Sequence, residues 1–238
     1  MTQPSAAGET VRRVSTLVAT IAGVDTDESS AREFTRVGRL AGAATLVLGA
    51  GFQLAAFVTM PDFDETADRL QWIDDHAARA QLSKVFDVLA MPFLFGTVVV
   101  YVLLARRRSP RLAYAAGIVL TVGMIGLSAA QGFETLQFAL ADDARFDPAS
   151  LAAAVDDIST PSAIVILLMF LGGALCGLLL TTAALWRSRA VPRGAVALIP
   201  LFILVDIFLS APLPGHVISF VGAVWIALAV LRTPAGGT

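Results

Sequence analysis

The feature that most constrains this chain is a long apolar run that recurs along its length. Six segments, 38–59, 85–106, 112–137, 161–186, 195–211 and 216–232, are each 17 to 26 residues long and carry few charges. A helix rising ~1.5 Å per residue needs about 20 such residues to cross the ~30 Å hydrocarbon core of a bilayer. In lipid, every backbone N–H and C=O must find a partner within its own segment, so runs of this length fold as helices. The predicted fold is therefore all-α, an integral membrane bundle of six transmembrane helices. Composition agrees: 56% of residues are hydrophobic and 15% charged, where soluble domains run near a quarter charged. Three regions follow: an arm over 1–37, a membrane domain over 38–232 and a short tail over 233–238.

Orientation follows from arginine. Arg12, Arg13, Arg32, Arg36 and Arg39 precede or open the first span, and Arg106, Arg107, Arg108 and Arg111 join the second and third. Arg187, Arg189 and Arg193 join the fourth and fifth, and Arg232 follows the sixth. Thirteen basic residues thus fall on one side and four, Arg69, Arg79, Lys84 and Arg145, on the other. Short basic loops stay in the cytoplasm, so both termini are expected there and the protein in the cell (inner) membrane of a bacterium. No secretory signal is expected, because Val14 to Gly23 is broken by Ser15, Thr16 and Thr20.

The two longer loops, 60–84 and 138–160, face outward on this reading, and both are acidic. Leu70, Trp72, Ile73 and Ala77 predict a short helix lying on the membrane surface. Pro148, following Asp147, predicts a second short helix. In the arm, Val11, Val14, Leu17, Val18 and Ile21 recur at helical spacing and suit a helix resting on the inner leaflet. The lipid bilayer is the first partner implied. The net charge of −2 leaves no basic surface for nucleic acid.

Small residues four apart let membrane helices approach closely. Gly173, Gly177 and Thr181 form such a seam on the fourth span, and Ala113, Gly117 and Thr121 another on the third. Either could close within one chain, against a second copy or against another membrane protein. The second and third spans faintly echo the fourth and fifth, each pair joined by a basic turn holding Ser and Pro. Trp186-Arg-Ser-Arg-Ala-Val-Pro-Arg-Gly194, at the end of a glycine-containing helix, resembles the turn of uncharacterised multi-pass bacterial membrane families. There a helix runs into Arg-Ser-xxx-Pro-Arg and then a small residue. The resemblance implies the membrane class and no activity.

Ionisable residues inside spans are costly unless paired or hydrated, so each marks a candidate site. Counting ~1.5 Å per residue from the basic end of each helix, Asp206 and Gln53 lie roughly 20 Å in, and His216 about 24 Å. Asp87 and Glu134 come out near 28 and 34 Å by the same count. On the third span Ser128, Gln131 and Glu134 share a face. Asp206, His216, Glu134, Gln131, Gln53 and Asp87 thus gather toward the outer side from five different helices. Two readings stand. The cluster forms one outward-facing polar cavity for small-solute or proton-coupled transport. Alternatively the polar residues are scattered among helix contacts, in an accessory or structural subunit that binds a partner through its small-residue seams.

Catalytic patterns are missing. Gly126-Leu-Ser-Ala-Ala130 lacks the Gly-x-Ser-Gly setting of an intramembrane serine protease. The two histidines, His76 and His216, offer neither paired haem ligands nor a zinc motif, so no cofactor or metal is expected. Cys176 cannot form a disulfide within a chain that has a single cysteine, and reads as a small buried hydrophobe.

Overall fold

The computed structural model describes residues 36–141, 143, 145–158 and 160–232. The surface helix expected within 1–37 and the tail 233–238 lie outside these residues. Among those described there are helices and no strands. They are α1 (Arg36–Thr59), α2 (Thr66–Asp75), α3 (Ala77–Ala105), α4 (Pro110–Ala141), α5 (Pro148–Asp156), α6 (Pro161–Ser188), α7 (Arg193–Ile203) and α8 (Pro212–Arg232). A π-helical turn (Leu204–Phe208) continues α7. Five of them, α1, α3, α4, α6 and α8, are long and apolar enough to cross a membrane. That is the mark of a multi-pass membrane protein. α7 with its π-turn is shorter, 11 and 5 residues, and falls below the length of a full span.

The long helices and α7 form a ring in which α1 meets α3, α3 meets α4, α4 meets α6, α6 meets α7, and α7 meets α8, which returns to α1. Large apolar side chains such as Val99, Ile118, Leu168 and Val221 are exposed on its outside, where lipid would cover them. Cys176 is also exposed on α6, contrary to the buried position expected of it. In lipid an outward-facing thiol leaves no polar group unsatisfied, so burial gains little there.

Glycines set the tightest contact. A Cβ on Gly173 would sit 2.5 Å from the backbone N of Gly123, and one on Gly177 would sit 2.6 Å from Cα of Leu120. The α4 and α6 backbones therefore touch along the Gly173–Gly177–Thr181 face, and all three residues are buried. The seam closes within one chain. At the arginine-rich end, an apolar core with Leu185, Val196 and Ile226 fully buried fills the ring.

At the opposite end the long helices outrun the predicted spans, and the two short helices cap them. α3 begins at Ala77 rather than 85, so Lys84 lies inside a helix and is buried, not in a loop. Leu70 and Ile73 of α2 are fully buried against Phe138, Ala141 and Ala152, so α2 packs on α5 and α4 instead of lying on a membrane surface. Thr66 donates a hydrogen bond of 2.7 Å to Asp156 across that contact. Asp147 caps α5, accepting from the backbone N–H and the hydroxyl of Ser150. Those bonds hold its carboxyl below the usual carboxylate range. Pro212 and Pro214 stand in the first turn of α8, where a missing N–H breaks no helical bond.

Candidate functional site

A cavity of about 630 Å³ runs down the middle of the ring. Its wall takes Lys84 and Tyr101 from the same helix, about 25 Å apart at helical rise. The volume lies within the range of ligand pockets, about 300–1,000 Å³. Toward the cap the wall is polar; deeper, it is Leu94, Val98, Leu120, Leu178 and Ile226. The six polar span residues singled out in the sequence, Gln53, Asp87, Gln131, Glu134, Asp206 and His216, all line this one cavity. They do so as two separate centres.

The first centre is Lys84. Its ammonium donates to Gln131 Oε1 at 2.6 Å, Glu134 Oε2 at 2.8 Å and Asp87 Oδ2 at 3.3 Å. An ammonium has three N–H donors, so this one is saturated. Its side chain is 5% exposed, and desolvation strengthens each of these bonds. Gln131 and Glu134 reach it because three residues on α4 return to nearly the same face. Arg69 extends the network from α2, bonding Gln137 and standing 3.9 Å from Glu134, with its Nε buried and without a partner among the described residues. Arg69 and Gln137 escaped sequence reading because one lay in a loop and the other at a predicted helix end. Lys84 entered the sequence reading only as a basic residue of the outer side, not as the hub. Ser128 stays apart, its hydroxyl bonded to Met124 O in its own helix.

The second centre joins α7 to α8. Asp206 sits in the π-turn, which widens the helix at this point, and Leu209 N–H closes it on Leu204 O at 3.0 Å. Such turns recur at functional sites. The chain then reverses through Ser210, a non-glycine residue with φ of 49°, a backbone state that costs roughly 1 kcal/mol. Gly215 comes down directly on Asp206: a Cβ there would lie 2.8 Å from Asp206 Cβ and 3.1 Å from its Cα. This approach brings His216 Nδ1 to 3.4 Å from Asp206 Oδ1. The contact is direct, with no residue between them.

His216 Nδ1 also lies 2.9 Å from Pro212 O. Two oxygens facing one ring nitrogen require a proton on it, so the ring is either the Nδ1–H tautomer or the imidazolium. The ring is held in place by Phe57 at 3.9 Å between centroids and by the edge of Phe202 at 5.5 Å. Asp87, paired with Lys84, and His216 line the same cavity.

No family model, curated protein or solved structure matches this chain. Among the described residues no group of three or more His, Cys, Asp or Glu side chains is placed to hold a metal ion.

Proposed function

We propose that this is a six-span protein of a bacterial inner membrane that moves a small solute through its cavity, coupled to protons at Asp206 and His216. The observation that carries the reading is convergence: polar residues from five different helices line one cavity, although nothing in their spacing along the chain requires it. The arginine distribution supports cytoplasmic termini and a cavity mouth on the outer face. α7 and its π-turn, reaching roughly 20–24 Å, serve as the short sixth span beneath the cap.

Coupling rests on chemistry available at that depth. A bare carboxylate in a low-dielectric wall is costly, so Asp206 is stabilised by a proton, by His216 or by a bound cation. Exchange among those three is the basis of coupled movement. The accessory-subunit alternative relied on an open small-residue seam, and the Gly173–Gly177–Thr181 face is already filled by α4.

The decisive experiment is flux. Labelled cations, anions, zwitterions and neutral solutes are offered to proteoliposomes under an imposed pH gradient while internal pH is followed. At least one class should enter faster than in protein-free vesicles, with a linked pH change that Asp206→Asn abolishes. If no class moves faster than in empty vesicles, transport is wrong. Topology has its own check: reporters fused after Arg108 and Arg189 should read cytoplasmic, and reporters within 62–75 and 142–157 external. A cytoplasmic signal from 142–157 removes the six-span arrangement.

A further inference from the structure

We infer that the cavity selects a hydrophobic monocation: an ammonium or phosphonium centre held near Asp206 and Asp87, with its apolar body in the shaft below. The inference rests on the transport reading for its setting and goes beyond it in naming the ligand class.

Charge is the first argument. Asp62, Asp87, Glu134 and Asp206 line the cavity against Arg69 and Lys84. The wall is therefore two charges negative with His216 neutral, and one negative with His216 protonated. The cations are also the less available groups. Lys84 has used all three donors on Asp87, Gln131 and Glu134, and Arg69 is drawn to Gln137 and Glu134 at the rim. The carboxylates keep free valence: Asp87 engages Lys84 through Oδ2 and Asp206 engages His216 through Oδ1, leaving one oxygen on each without a partner among the described residues. An anion entering here would meet the carboxylate oxygens that Lys84 and His216 leave free; a cation would complete them.

Shape is the second argument. Below this level the wall is mostly aliphatic and aromatic down to Tyr101, interrupted by Thr97 and Ser219, and Phe57, Phe170 and Phe202 stand around the upper part. Aromatic faces attract cations, more strongly once water is displaced, and do not discriminate among apolar bodies. A small hydrated ion would leave the shaft unfilled, whereas a ligand with a bulky apolar body buries it. Two polar groups of the wall are left without a partner. His216 is 6% exposed and its Nε2 has no partner among the described residues. Thr97 Oγ1, in the same wall as the aliphatic shaft, is buried and likewise unpartnered among the described residues.

The exchange step is non-covalent and balanced. With Asp206 protonated, arrival of the cation releases that proton to water in the mouth, and the carboxylate becomes the counter-ion. The groups facing Asp206 across the cavity are His216 on α8, Asp87 and Lys84 on α3, Glu134 on α4, and Arg69 and Asp62 at the rim; α1 adds the uncharged Gln53. With the carboxylates ionised the site holds the cation; as pH falls, protons compete and binding weakens.

The test pairs two ions of nearly identical shape and opposite sign, tetraphenylphosphonium and tetraphenylborate, titrated onto the full chain in lipid nanodiscs by calorimetry. Tetraphenylphosphonium should bind saturably and tetraphenylborate should not. Binding of the phosphonium should weaken as pH falls. Asp206→Asn and Asp87→Asn, each checked for an unchanged elution profile, should lower affinity at least about tenfold, the effect of losing ~1.4 kcal/mol of ion pairing. Leu178→Trp, which fills the shaft without touching a charge, should weaken binding as well. Equal binding of the two ions, no saturable phosphonium binding, or unchanged affinity in both Asn variants each overturns the inference. Failures separate cleanly from those of transport. Phosphonium that binds but does not cross proteoliposomes removes transport and leaves the ligand class. Flux of another solute without phosphonium binding does the reverse.

Discussion

α4 joins its neighbours in two unlike ways. Toward α6 it presents Gly123 to Gly173, Gly126 to the backbone at Phe170 and Leu120 to Gly177, so the helices meet by shape and leave no space. Toward α3, further along the same helix, it presents Gln131 and Glu134 to Lys84, so the helices meet by charge around a cavity. The first contact has no group able to titrate and no room for a ligand. The second has both. Stability should therefore reside largely in the seam and function largely in the mouth, and substitutions can separate the two.

The largest loss of stability is expected at Gly177. Even a Cβ there would lie 2.6 Å from Cα of Leu120, and backbone on a facing helix cannot step aside as a side chain can. Gly177→Leu should destabilise by about 3 kcal/mol, the upper part of the usual overpacking range, seen as a lower Tm in detergent. Leu179→Ala is the control, since Leu179 is 47% exposed and its truncation removes few protein contacts. An equal or smaller loss at Gly177 would mean that the seam is not where the bundle is held.

Lys84→Met comes next and tests the contact made by charge. Removing one partner of a buried pair commonly costs about 3–5 kcal/mol, because the other is left uncompensated. Here the remaining carboxylates face a cavity and Glu134 is 38% exposed, so roughly 2 kcal/mol is expected. The loss should shrink at low pH, where Asp87 and Glu134 take up protons and no longer need the ammonium. A loss that does not depend on pH would point to packing rather than charge.

Gly215→Ala is a smaller change with a more specific result. The new methyl would press on Asp206 Cβ and Cα, and parting the helices by a few tenths of an ångström relieves it. About 1–2 kcal/mol should be lost. The His216–Asp206 contact, already 3.4 Å long, should open, so the proton linkage of solute binding should weaken more than stability does. An unchanged linkage would show that the pair does not depend on this close approach.

The sequence disclosed elements better than partners. Long apolar runs carry their own helical signal, and the α1 and α6 regions were plain for that reason. The start of α3 was not, because Ala77 to Lys84 is polar enough to look like a loop. It becomes helix by packing under the cap, where Ala80 and Ser83 are buried. Leu70 and Ile73 were visible as an apolar face, but nothing local said whether lipid or α5 would cover them. Depth counting brought Asp206, His216, Glu134 and Asp87 to one side of the membrane, since rise per residue is fixed. It could not divide them into a lysine hub and an aspartate–histidine pair. That division depends on helix rotation, on Gly215, and on a π-turn for which the sequence offers no rule.

The smallest expected effect on stability, and the sharpest separation of the two contacts, is at Asp206. Asn keeps the shape of Asp and can still accept from His216 through its amide oxygen. The substitution removes one charge that is 21% exposed to the cavity and leaves the Cβ and Cα that Gly215 packs against unchanged. Asp206→Asn should therefore move stability by under about 1 kcal/mol in either direction. A small gain is a reasonable outcome, because a costly buried charge is removed. Proton-linked solute movement should nevertheless vanish, since an amide can neither release a proton nor balance a cation. Asp206→Leu is the harsher companion, leaving His216 Nδ1 with Pro212 O as its remaining acceptor. If the Leu variant is as stable and as active as the parent, Asp206 has no role in coupling. If Asn costs as much stability as Gly177→Leu does, the mouth is structural like the seam, and the contrast between them fails.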